Sequence, residues 1–184
     1  MAPARTARTL GCFRHAIMQE ITAIFINASR KALATWLERI QKCLDQLATE
    51  QIWWRGQENS NAIGNLVLHL SGNVRQWIVS GVGGAPDARN RDAEFAQRDA
   101  LPAAELLERL RSAVADADQV LASLTPEKLL ERRQIQKYDV TVLEAIHHVT
   151  EHFALHAGQI IYATKLLTGQ DLGFYRHLQQ SGTK

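Results

Sequence analysis

Cysteine is nearly absent from this chain. Two in 184 residues, Cys12 and Cys43, build neither a disulfide framework nor a thiolate metal site, and such scarcity fits a reducing cytoplasm. Long apolar runs are also missing. None approaches the roughly 20 residues that span a bilayer, so no membrane association is expected. Charge of one sign is missing too. The formal net charge is +2, but residues 1–17 carry Arg5, Arg8 and Arg14 and no acid. Setting these three aside leaves 18 basic residues against 19 acidic, a body of −1. A nucleic-acid partner needs a clustered basic face, and none is expected here.

That N-terminal stretch lacks the apolar segment of a secretory signal. It is Arg-rich and acid-poor, as organellar transit peptides are. The alternative, which we favour, is an overextended start, with Met18 as the first residue, because the amphipathic pattern begins there. The expected organisation is a disordered leader or mis-assigned start at 1–17, a single body at 18–170 and a C-terminal tail at 171–184. A chain of this length most simply forms one domain.

What is present is helical periodicity. Ile21, Ile24, Phe25, Ala28, Ala32, Trp36, Ile40, Leu44 and Leu47 recur at the 3.6-residue period and predict a helix over 18–47. A second helix is predicted over 60–80, through Ile63, Leu66, Val67, Leu70, Val74, Trp77 and Ile78, ending at "SGVGGAP". After a long charged connection, 84–101, Pro102 suits the first turn of a third helix reaching 122. A second connection, "TPEKLLERRQIQKYD", with room for a helical turn or a short extended piece, leads to a fourth helix. Thr141 and Glu144 form its capping box, and Gly169 ends it. No convincing strand alternation is visible. The expected fold is all-α, a four-helix bundle, whose interior is a common place for metal sites.

The fourth helix carries "EHFALHAGQI". Residues four apart on a helix sit about 40° apart around the axis and about 6 Å along it, so His152 and His156 can converge on one ion. A third ligand is offered by His69, mid-helix between Leu68 and Leu70, with Asn65 and Asn73 one turn to either side. The bland alternative is a core histidine satisfied by an asparagine or a carbonyl. Three imidazoles suit zinc or nickel first, with iron or manganese next, and leave coordination open for water or substrate.

Two other motifs compete. His148-Val149-Thr150-Glu151-His152 matches an inverted zinc-peptidase pattern, but no glutamate follows Glu151 to complete it. Glu144-Ala145-Ile146-His147 is a single E-x-x-H where a di-iron bundle needs two. Glu144 and His147 are therefore expected to be capping or exposed groups. His148, one turn before His152, is a candidate fourth ligand or pocket residue.

The segments "NLVLHLSGN" and "EHFALHAGQI" together resemble the DinB/YfiT-like superfamily of metal-binding four-helix bundles, over roughly residues 20–170. "PDARNRDAEF" looks like the charged loop of one uncharacterised branch of it. The resemblance implies His69, His152 and His156 as ligands, followed by the Gly158-Gln159 signature, and a homodimer. It also implies use of the metal to activate a low-molecular-weight thiol as cosubstrate, for S-transfer to, or isomerisation of, a small molecule. The alternatives are a metal-dependent hydrolase and a non-enzymatic, stress-response metal-binding protein. Asn73 and Gln159 are candidates to orient a ligand or touch substrate. Arg89, Arg91 and Arg98 either hold an anionic group or pair with Asp92, Glu94 and Asp99 on a solvated surface.

Overall fold

A computed structural model describes the backbone of residues 4–179 and, within them, the side chains of residues 15–176 and 178. The expectations that fall on residues 1–3 and 180–184, and on the side chains of Cys12 and His177, lie outside the described residues. Four long helices make an all-α bundle: α1 (Ala4–Leu44), α3 (Ile63–Val74), α5 (Ala103–Ala122) and α7 (Val142–Thr168). α1 packs on α7 and α5, and α3 on α5 and α7. No described helix is long and apolar enough to cross a membrane.

α1 starts well before the pattern at 18 and turns a different face inward. Its buried line runs through Thr22, Ile26, Ser29, Leu33 and Ile40. Ile21 and Ile24, read from the sequence as core, are 55% and 62% exposed. The helix carries two apolar stripes, and a period of 3.6 does not say which of them meets the core. α3 is the central helix, and its residues are buried almost without exception. It continues without a break as a π-helical segment, Arg75–Val82. Such widened turns recur at functional sites because they re-aim side chains. Here the segment buries Trp77 and Ile78.

The connections hold the unexpected structure. Between the first two long helices lies a single turn, α2 (Thr49–Ile52). In the 84–101 connection sits α4 (Arg91–Ala96), capped by Asn90, whose side chain accepts from the Ala93 N–H at 3.0 Å. Asn65 fixes α4 to α3. Its Nδ2 donates to the carbonyls of Glu94 (2.9 Å) and Gln97 (3.2 Å), while its Oδ1 accepts from the Ala62 N–H and from Arg55. A second turn, α6 (Pro126–Leu130), is followed by a hairpin of β1 (Arg132–Ile135) and β2 (Tyr138–Thr141), paired antiparallel with Ile135 opposite Tyr138. The sequence shows no strand alternation here, and the helical turn or short extended piece expected in this connection is a turn followed by a paired hairpin. Each strand is only four residues long and largely polar, too short to show a period of two. The hairpin packs Ile135 onto Gly81 of the π-helical segment.

α7 begins as its sequence predicts. The Glu144 carboxylate accepts from the Thr141 N–H at 2.7 Å, and Thr141 Oγ1 accepts from the Glu144 N–H at 3.2 Å. Gly169, at φ 66°, ends the helix in the left-handed region that a Cβ disfavours. A last short turn is α8 (Arg176–Gln179).

Candidate metal centre

His69 projects from the middle of α3, and His152 and His156 from successive turns of α7. The α3–α7 packing brings them face to face. The Nε2 atoms of His69 and His152 lie 3.1 Å apart, and those of His152 and His156 lie 3.2 Å apart. Two imidazole nitrogens each bound to zinc at about 2.0–2.1 Å, with an angle between 90° and the tetrahedral value, are separated by about 2.9–3.4 Å. Each of the three offers one ligand atom within 4.8 Å of the others.

The outer nitrogens fix which way the lone pairs point. His69 Nδ1 lies 3.0 Å from Glu94 Oε2. An ionised carboxylate only accepts, so Nδ1 carries the proton and Nε2 presents its lone pair to the centre. Arg89 Nη2 is also 3.0 Å from that Nδ1. Both are donors, so this is a packing contact. Arg89 donates instead to Glu94, Nε to Oε1 at 2.7 Å and Nη2 to Oε2 at 2.8 Å, and through Nη1 to Gln76 Oε1 at 3.0 Å. His156 Nδ1 donates in the same manner to Gln159 Oε1 at 2.7 Å. Outer partners of this kind set the tautomer of metal-binding histidines.

His152 is left between two acceptors. With its single Nε2 hydrogen it satisfies at most one of its two neighbours, and its own Nδ1 is buried without a partner. A cation shared by three Nε2 lone pairs removes that conflict, so these residues fit a divalent metal. The three-His donor set is that of zinc and nickel sites, with iron also suited.

The electrostatics agree. Burial drives the His152 imidazolium out, with His156, His69, His148 and Arg89 adding to the effect, and brings its pKa to about 3. Burial also lowers His156, against an opposing pull from Gln159 and with a further push from His69. Both are thus neutral donors at neutral pH. Burial alone would raise Glu94. The hydrogen bonds and charges of Arg89 and His69 outweigh it and hold the carboxyl below the usual range. The Arg89–Glu94 pair is itself interior, with side chains 3% and 10% exposed.

The other sequence candidates separate clearly. Asn73 and His148 line a cavity of about 410 Å³ beside His69 and His152, together with Trp77, Arg91 and Tyr138. His148 stacks on Trp77 at 4.2 Å between ring centroids and stands 5.5 Å from His152, outside the three-His cluster. Burial lowers its pKa, partly opposed by Glu151. Asn65 serves the scaffold, as described above. Trp53 lies on Gly64 and donates to the Leu101 carbonyl. Glu151 and His147 are exposed, which removes the peptidase and di-iron readings. A larger cavity, about 790 Å³, lies on the other side of Arg89 and Glu94, toward Arg75 and Arg109, and reaches none of the histidines.

Glu94 is the functional residue the sequence reading missed as a partner of His69. Lying 25 residues away in a charged loop, it looks no different from Asp92 or Asp99. The available signal was Gly72, three residues past His69. A Cβ there would lie 1.9 Å from Glu94 Oε1, so the glycine marks where α4 closes on α3.

Among curated proteins, none matches the chain significantly. A crystal structure of a conserved protein from Enterococcus faecalis shares the fold, with a TM-score of 0.67 at 16% identity, covering 78% of this chain and 97% of the other. The family model that matches is described as a protein of unknown function (DUF1572) and spans residues 20–176, so the chain belongs to that family.

Proposed function

We propose that this protein is a metal-dependent enzyme of the DinB/YfiT-like kind. In this reading it holds a divalent cation on His69, His152 and His156 and joins a low-molecular-weight thiol to a small-molecule electrophile: the thiol proton passes to solvent, a carbon–sulfur bond forms, and the leaving group of the electrophile departs with its bonding electrons. The observation that carries it is the convergence of three Nε2 atoms, two of whose histidines, His69 and His152, line a 410 Å³ cavity, a volume suited to small ligands. When bound, the cation supplies positive charge that favours thiolate over thiol at neutral pH.

The chain's own residues do the rest. Glu94 and Gln159 hold two of the imidazoles in the ligating tautomer. Trp77 and Tyr138 form an aromatic wall of the cavity, 6.1 Å apart between ring centroids. The cavity lining contains no Cys, Ser, Thr or Lys among the described residues, and its carboxylate, Glu144, is engaged in capping α7, which supports a nucleophile supplied from outside the chain. A thiol suits this better than water does. Attack by water needs a general base to take its proton, a task left to His148 because the carboxylates are engaged, whereas a thiol, far more acidic than water, ionises beside a bound cation without one. Glu94 is locked to Arg89 and His69, and Glu144 is held below the usual carboxylate range by the Thr141 N–H and hydroxyl.

The homodimer belongs to the same proposal. Leu155, Tyr162 and Leu166 on α7, and Ile17, Ile21 and Ile24 on α1, form exposed apolar stripes on adjacent helices. We place the protein in the cytoplasm, with no membrane or nucleic-acid partner.

The test is metal content by mass spectrometry on natively purified protein and on His69→Ala, His152→Ala and His156→Ala. A panel of thiols is then assayed with 1-chloro-2,4-dinitrobenzene. Near-stoichiometric metal lost in all three variants, with metal- and thiol-dependent turnover, is expected. Turnover with water alone would make it a hydrolase. Metal without turnover on a broad substrate panel would make it a binding protein. No metal in the wild type after reconstitution would end the reading.

A further inference from the structure

Three arginines of the charged loop were equal candidates for holding an anion, and the structure separates them. Arg89 is consumed by Glu94 inside the protein. Arg98 lies outside the cavity beside the histidines and donates to the carbonyls of Phe95 (2.8 Å) and Gln97 (3.1 Å). Arg91 lines that cavity and has no ion pair among the described residues. Its guanidinium lies over the Phe95 ring, 4.9 Å from the centroid. Stacking of that kind holds the plane and leaves the N–H edge free to meet a carboxylate in the bidentate manner.

The opposite character lies a few residues away. Trp77, 4% exposed, stacks on His148 and stands close to Tyr138, giving the cavity an aromatic wall. Two further buried polar atoms without partners belong to lining residues, Trp77 Nε1 and Asn73 Oδ1. A buried group left unpaired costs about 1–3 kcal/mol, so the wall carries a donor and an acceptor in reserve. Glu144, the one acid in the lining, is compensated by the α7 N-terminus that it caps.

We propose that the electrophile taken by this cavity is a flat, conjugated or aromatic carboxylate, with Arg91 gripping the carboxylate and the Trp77–His148–Tyr138 wall covering the planar body. The proposal rests on the reading of this cavity as the substrate pocket. The carboxylate could belong instead to the thiol cosubstrate; the aromatic wall assigns it to the electrophile, and the test separates the two.

Calorimetric titration with trans-cinnamate provides that test, on the full chain both zinc-loaded and metal-stripped. Cinnamyl alcohol lacks the charge, cyclohexanepropionate lacks the flat body, and N-acetylcysteine carries a thiol and a carboxylate without a ring. Cinnamate is expected to bind in both metal states, the alcohol and the saturated acid about tenfold more weakly, and Arg91→Met to lose about tenfold in cinnamate affinity with metal content unchanged. Tyr138→Ala, on the exposed side of the wall, should weaken cinnamate and leave cyclohexanepropionate as it was. Binding that disappears with the metal but ignores Arg91→Met would place the carboxylate on the ion and overturn the proposal. So would Arg91-dependent binding of N-acetylcysteine with none of cinnamate. Metal content reads the other hypothesis separately. A metal-loaded protein that ignores cinnamate sinks only the carboxylate pocket, and a protein that never takes up metal yet binds cinnamate through Arg91 sinks only the metal site.

Discussion

Gly72→Ala should weaken metal binding without removing a single ligand. The new Cβ would sit 1.9 Å from Glu94 Oε1 and 2.9 Å from Arg89 Nε. A carbon–oxygen contact needs about 3.3 Å, so the carboxylate must retreat by more than an ångström. Its bond to His69 Nδ1 spans 3.0 Å and does not survive such a shift. Losing an outer partner typically costs 10–100-fold in metal affinity, about 1.4–2.8 kcal/mol. Glu94→Gln is a poorer probe, because it strands the buried Arg89 charge, and breaking a buried pair costs about 3–5 kcal/mol in folding. The assay is competition for zinc with a chromophoric chelator, with circular dichroism to verify the fold. Gly158→Ala is the control, since a Cβ there meets nothing within 4 Å. Wild-type zinc affinity in Gly72→Ala would refute the idea that Glu94 tunes the site through His69.

Metal-stripped protein should lose stability as pH falls. The unfolded His152 takes a proton near 6.5, whereas the folded one resists until about 3. Across that window the unfolded chain binds more protons, so stability is present above 6.5 and drains away toward 3. The lowered carboxyl of Glu94 adds a loss at the acid end. Urea midpoints in chelator at pH 7.5, 6 and 5 should therefore fall, and less steeply in His152→Leu; a flat wild-type series would contradict this. Thr141→Ala should cost about 1 kcal/mol by removing the α7 cap, read from the denaturant midpoint, with metal content unchanged. Light scattering should give twice the 20.6 kDa chain mass, and Tyr162→Glu with Leu166→Glu, both 67% exposed, should give one.

How much of this could be read from the sequence depends on how local each signal is. The long helices declare themselves through periodicity over many residues, and His152 and His156 share one helix and so carry their own spacing. His69 was reachable because a polar residue in an apolar helix asks for a partner. The face of α1 was not reachable, because its second apolar stripe repeats with the same period as the first. Nor was the fate of the three arginines. Arg89, Arg91 and Arg98 differ only in which neighbour the α4 turn presents to them, and that is set by Asn65, Asn90 and Gly72 acting together across α3. The π-helical segment leaves no pattern of its own, yet it carries Trp77.

The hairpin contributes no ligand atom. β2 supplies Tyr138 to the cavity wall, and the turn residue Gln136, at φ 55°, reaches across to Gln76, which also receives Arg89. The three histidines sit on two core helices, α3 and α7, while part of the cavity wall is carried by a short ribbon attached near its rim. Substitutions in residues 132–141 would therefore reshape the cavity wall while the buried histidines stay in register.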